Sequence, residues 1–147
     1  MRRLPALRGG DDGNALVEFS YLAVLLMIPL VYVLLTVFQV QRAAFGVTEA
    51  ARQGGRAFAT APSVEQGQAR ARAAATLALQ DQGLALCTGC LQTPAGPLLP
   101  GASITVRVEF RVVLPLFGGM FGGAVPASIP VRATHVEVVD RFRDAPS

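Results

Sequence analysis

Gly13-Asn14-Ala15-Leu16-Val17-Glu18-Phe19 leads straight into an apolar run, residues 19–40. The run holds about 22 residues, or about 33 Å as an α-helix, and a bilayer's hydrocarbon core is roughly 30 Å thick. A secretory signal has a shorter apolar region, followed by a small-residue cleavage site. Here the small residue, Gly13, precedes the run, and cutting there removes a leader while the helix stays on the mature chain. Arg2, Arg3 and Arg8 lie before the run. By the positive-inside rule they place the N-terminus in the cytoplasm and the C-terminus outside it. Asp11 and Asp12 offset them slightly, and Arg42, Arg52 and Arg56 follow the span, so the orientation rests partly on the short leader.

Glu18 is a lone carboxylate at the mouth of the apolar segment. A charge entering the apolar phase is expensive and normally has a partner or a function. The simpler reading is an interfacial glutamate that snorkels to the headgroups.

At these residues the chain resembles the type IV pilin superfamily, and more narrowly the TadE/TadF-like pseudopilins of tight-adherence pilus systems. The resemblance implies a membrane-embedded aspartyl prepilin peptidase that cuts after Gly13, so that Asn14 becomes the first residue and Glu18 the fifth. Phe19 fits the TadE-like Val-Glu-Phe pattern better than the Thr-Leu-Ile-Glu of major pilins. Asn14 stands where Phe or Met is usual, so the resemblance implies nothing about N-terminal methylation. The match covers about residues 13–58, with a looser one in the C-terminal half. It implies that Glu18 meets the free N-terminal amine of an adjacent subunit. The implied partners are the prepilin peptidase, other pilin-like subunits in a hetero-oligomer, the inner-membrane assembly platform and membrane lipid. The implied role is that of a minor pilin or pseudopilin, a single-pass protein of the cytoplasmic membrane that helps initiate or assemble a filament.

The chain's 147 residues suffice for one membrane segment and one small domain, and residues 19–40 hold much of its 52% hydrophobic content. A net charge of +3 raises nucleic acid as a partner. The arginines are scattered, without a dense basic run or aromatic interleaving, so a solvated surface plus a basic leader is the reading taken.

Pro29 falls near mid-span, where proline removes a backbone donor and tends to kink a helix. The helical pattern continues past the span. Val37, Val40, Ala44, Val47, Ala51, Gly54 and Phe58 recur in steps of three and four. This seam of mostly small residues permits close approach of another helix, from the chain's own domain or from a neighbouring subunit. Gly54-Gly55 weakens the helix near its end. One helix over residues 15–59 is expected, within an organisation of leader 1–13, long helix 14–60 and extracytoplasmic domain 61–147.

Thr60-Ala61-Pro62 interrupts that helix. Ser63 and Gln66 have the spacing of a capping box, and a second helix over 63–82 ends at Gly83. Residues 84–101 carry three prolines and read as an irregular loop. In residues 103–114, Ile104, Val106, Val108, Phe110 and Val112 alternate with Thr105, Arg107, Glu109 and Arg111, the pattern of a half-buried strand. A second, less regular strand spans 129–142 and pairs antiparallel with the first. Their connection, residues 115–128, repeats Phe-Gly-Gly at 117–119 and 121–123. That loop lies on lipid, in a subunit interface or over the domain's own core. The fold class expected is α+β and membrane-anchored: a long N-terminal transmembrane helix, then a small domain of one helix and a short antiparallel sheet.

Cys87-Thr88-Gly89-Cys90 has redox-motif spacing, but it follows a helix and precedes a proline-rich loop. A thioredoxin-like site needs the motif at a helix N-terminus after a strand. Zinc needs further ligands, and His135 is the sole histidine. A structural disulfide between Cys87 and Cys90 is expected on the oxidising side of a membrane. His135 has no paired acid nearby in sequence and reads as structural. The glycine-rich loop lacks the Gly-Lys-Ser/Thr ending of a phosphate loop. No cofactor, metal or catalytic activity is expected. Two other readings stand beside the filament subunit: an unprocessed, membrane-anchored binding module, and a tethered thiol oxidoreductase using Cys87 and Cys90.

Overall fold

Between residues 11 and 59 only Pro29 interrupts the helical hydrogen-bond ladder, and the chain forms one α-helix, α1 (Asp11–Ala59), through it. The computed structural model describes residues 11–114 and 128–142, with only the backbone for 11–14. Residues 1–10 of the leader and residues 115–127, with both Phe-Gly-Gly repeats, lie outside the described residues. After α1 come α2 (Val64–Gln80), β1 (Leu91–Gln92), β2 (Ser103–Val113) and β3 (Ser128–Val138). The three strands form one antiparallel sheet in the order β1-β2-β3. The architecture is α+β, as the patterning requires. The chain divides into two compact units, Met1–Val37 and Phe38–Ser147.

In the first unit the apolar side chains face outward. Leu16, Leu22, Leu26, Ile28 and Leu34 are all exposed. Ser20 Oγ donates to the Leu16 carbonyl at 2.8 Å. Returning a hydroxyl to the preceding turn lets a polar side chain sit in an apolar helix without an orphaned donor. Among the described residues this is the one helix long and apolar enough to cross a membrane; its most apolar stretch has a mean hydropathy of 2.5 and no buried residue.

In the second unit the rest of α1 and all of α2 cover one face of the sheet. Val47, Ala50, Ala51, Ala75, Ala78, Leu79 and Val108 form one core cluster, and Phe58, Ala71, Leu98, Ile104 and Val139 belong to another. Burying a side chain such as Phe58, Leu79, Val106 or Val108 stabilises the fold by about 1.5–3 kcal/mol. The small-residue seam packs on the chain's own domain. Its lower half, Val47, Ala51, Gly54 and Phe58, is buried as the spacing predicts. Its upper half is displaced: Val37 is exposed, Val40 and Ala44 are half-buried, and Ala43, Gly46 and Ala50 are buried instead. Two elements cover this stretch of α1, so the buried stripe is wider than a single seam. Gly54 serves that packing, since a Cβ there would lie 3.4 Å from the Ala71 carbonyl oxygen and 3.7 Å from Val106 Cγ1.

Helix α2 begins as its capping residues require. Ser63 is extended, and its hydroxyl accepts from the Gln66 amide at 3.3 Å. The helix closes at Asp81, two residues before Gly83 at φ +66°. β2 follows its alternation: Ile104, Val106, Val108 and Val112 are buried while Thr105, Arg107 and Arg111 are exposed. Its start is set by a turn. Pro100 and Gly101 occupy the centre, Gly101 has φ +75°, and the Ala102 amide donates to the Leu99 carbonyl at 3.0 Å, the pattern of a type II turn. The Gly101 amide then donates to the Val139 carbonyl, and the Val139 amide to the Ala102 carbonyl. The turn thus feeds a bulge that opens the β2–β3 ladder.

Two expectations are corrected. The 84–101 segment is not wholly irregular, because β1 pairs Leu91 with Val108 and Gln92 with Arg107. The second strand ends at Val138, not at 142, with the chain turning at residues 141–142.

Candidate functional site

Glu18 lies in the exposed part of α1, four residues after Asn14. One helical turn separates the two positions, which places them on one face of the helix. Phe19, at 71% exposure, is among the most exposed apolar residues of this unit, and Val17, Tyr21 and Leu22 beside it are exposed too. Among the described residues no ion pair or hydrogen bond reaches the Glu18 carboxylate. Gly13 and Asn14 are helical here, with nothing described of the Asn14 side chain. The arrangement is an ionisable group on an exposed and mostly apolar helix face. Chemically such a group can pair with a cation that a second helix brings to it.

Cys87 and Cys90 stand at disulfide distance, with Cα atoms 5.3 Å apart, and are bridged. They close a tight turn. Gly89 sits at φ +80°, a conformation glycine adopts without steric cost, and the Cys90 amide donates to the Cys87 carbonyl at 3.2 Å. The Cys90 carbonyl in turn accepts from the Glu109 amide at 2.9 Å, which ties the turn to β2. The pair therefore leads into β1 rather than standing at a helix N-terminus, the position that activates a thiolate.

His135 is placed differently from its sequence reading. Glu137, two residues on, is a paired acid: His135 Nε2 lies 3.0 Å from Glu137 Oε2. Both belong to β3, where alternate residues share a face, and register sets them opposite Val106 and Ile104 on the helix-covered side of the sheet. The Val136-Glu137-Val138 stretch thus takes the opposite phase from the one hydrophobicity suggests, with Val136 and Val138 exposed at 57% and 50%. The imidazole packs on α1, because a Cβ at Gly55 would stand 2.9 Å from His135 Cδ2.

Beside Glu137 runs an open groove of about 840 Å³, lined among others by Arg56, Thr60, Pro62, Asp140 and Phe142. Asp140 Oδ1 accepts from the Phe142 amide at 2.9 Å. Sequence reading missed this groove because its residues come from two segments far apart in the chain, 56–62 and 137–142. Among the described residues no three His, Cys, Asp or Glu side chains are grouped so as to hold a metal ion. Comparison with family models, with curated proteins and with solved structures finds no match.

Proposed function

We propose that this chain is a minor pilin or pseudopilin, processed by a prepilin peptidase and contributing to assembly or initiation of a tight-adherence pilus or related secretion filament. One observation carries the reading. A small residue and a lone carboxylate, Gly13 and Glu18, stand five residues apart at the start of a helix that is apolar, exposed and long enough to span a bilayer. Retention of that helix after cleavage at Gly13 leaves a subunit anchored by its N-terminus. The basic leader places that N-terminus in the cytoplasm and the α+β domain outside. Glu18 then serves assembly by meeting the amine of an adjacent subunit's Asn14. The peptidase, other pilin-like subunits, the assembly platform and membrane lipid are the partners of this reading.

The test is the N-terminus of the mature chain. Co-expression with a matching prepilin peptidase leaves Asn14 first by mass spectrometry, and replacing Gly13 with a bulky residue blocks the cut. Met1 retained in the wild type, with the peptidase active on a control substrate, rejects this reading. The groove beside Glu137 favours a second one, an unprocessed anchored module that captures a partner, and the same measurement separates the two.

A further inference from the structure

β3 is the last strand of the sheet, so among the described residues one of its edges is unpaired. Which backbone groups lie on that edge follows from hydrogen bonds at two points. The Glu109 amide donates to the Cys90 carbonyl, so odd-numbered residues of β2 turn their backbone groups toward β1 and even-numbered ones toward β3. The Val139 amide donates to the Ala102 carbonyl, which fixes the same phase from the other strand. With Val108 opposite Ala133 and Val106 opposite His135, the odd-numbered residues of β3 bond to β2. The amides and carbonyls of Arg132, Thr134, Val136 and Val138 therefore point outward. Pro130 belongs to the same set, and a residue without an N–H is tolerated there because its nitrogen faces the open edge.

An exposed edge is normally blunted by charge, proline or a bulge. Pro130 blunts the start of this one, but Thr134, Val136 and Val138 are all β-branched and all exposed. The groove of about 840 Å³ opens at the same place. Glu137 and Val138 point to opposite faces of the sheet, so a groove that both of them line wraps the edge of β3. Its other walls are Ala59 and Pro62, at the end of α1 and just after it, and Phe142, which is 95% exposed. We propose that β3 takes up an extended segment of another polypeptide as a fourth strand, hydrogen-bonded along residues 132–138. The segment carries β-branched side chains on the face it shares with Val136 and Val138. On its alternate face an aliphatic side chain enters the groove against Ala59, Pro62 and Phe142. A second copy of β3 does not meet that requirement, because its Val131, Ala133 and His135 already pack beneath its own helices. The occupant is a segment whose side chains are free on both faces. The pairing is independent of cleavage after Gly13, so its failure and a retained Met1 are separate results.

The probe is a capped peptide of alternating threonine and leucine flanked by lysines, added to the full chain in mild detergent. Amide hydrogen exchange is followed residue by residue by NMR. The expected result is that the peptide slows exchange at Arg132, Thr134, Val136 and Val138 by about tenfold or more. The same peptide N-methylated at its threonines keeps the side chains but loses the donors, and binds about tenfold more weakly. Val136→Pro removes one outward donor at a position in phase with Pro130. It weakens binding by about the same factor, with helix and strand content unchanged by circular dichroism. Phe142→Ala, on an exposed side chain, weakens binding about threefold through the groove. Amides at all four positions that are already protected in the dilute free chain show that the chain covers its own edge, and overturn the proposal. Protection that appears without peptide and grows with protein concentration assigns the edge to a second copy, and also overturns it. Equal binding by the N-methylated peptide, or exchange that the parent peptide leaves unchanged, overturns the strand pairing outright.

Discussion

Gly67 lies against Phe58: a Cβ on Gly67 would stand 3.0 Å from Phe58 Cδ2 and 3.3 Å from the Phe58 carbonyl oxygen. Phe58 is fully buried, so the ring has little room to retreat. Alanine in a helix is favoured over glycine by about 1 kcal/mol, and overpacking a filled core costs about 1–3 kcal/mol. The clash decides the sign. Gly67→Ala is expected to be about 1 kcal/mol less stable than wild type and Gly67→Val about 3 kcal/mol, by denaturant titration of the full chain in mild detergent. Gly96, with nothing within 4 Å of a Cβ, is the control, and Gly96→Ala stays within about 0.5 kcal/mol.

The Cys87–Cys90 bridge closes so short a loop that it removes little entropy from the unfolded chain. The chain-entropy relation gives about 2 kcal/mol for a four-residue loop. Replacing both cysteines with Ser lowers stability by no more than about that amount, because the turn keeps Gly89 and the Glu109–Cys90 hydrogen bond. The same protein is assayed for insulin reduction beside wild type. Turnover by the wild type at the level of a thioredoxin control would overturn the structural role and restore the oxidoreductase reading.

His135 is expected to act through its packing on Gly55, not through its charge. Glu137→Gln, which leaves the imidazole in place, costs less than about 1 kcal/mol, since the pair is partly open to solvent. His135→Ala costs about 1–3 kcal/mol by removing the ring from between β3 and α1. Neither substitution alters the mature N-terminus. A Glu137→Gln protein destabilised as strongly as His135→Ala would show that the ion pair, and not the ring contact, holds this corner.

What was legible in the sequence was what is periodic. The alternation from Ile104 to Val112 set β2 and its buried face, and the small residues from Val47 to Phe58 gave the packed stripe of α1. Ser63 and Gly83 marked the ends of α2 through the backbone conformations they favour. β1 was not legible, because two residues carry no period and its pairing depends on β2, which comes later in the chain. The phase of β3 was not legible either. Its valines at 136 and 138 favour a strand on any face, while register with β2, opened by the Gly101 bulge, turns His135 and Glu137 toward the helices. Glu18 was legible as a singular residue, since a carboxylate in an apolar run stands out whatever the fold. Its role was not, because among the described residues no ion pair or hydrogen bond reaches its carboxylate.

That role is the last expectation. Glu18 sits on an exposed and mostly apolar helix face, so a second helix packed there would have to compensate its charge. Glu18→Ala removes a polar group from the membrane edge. Insertion and cleavage after Gly13 should therefore survive or improve. Association with other pilin-like subunits should fail, and piliation with it, because the partner's N-terminal amine is then left buried without a counter-charge. Cross-linking in membranes measures association, and a blot of the same samples reads the cleaved form. A Glu18→Asp protein keeps the charge on a shorter arm, and partial recovery of cross-links there would mark the carboxylate, not the helix surface, as the group that matters. Normal cleavage together with wild-type cross-linking and piliation in Glu18→Ala would sink the assembly role and return Glu18 to an ordinary interfacial residue.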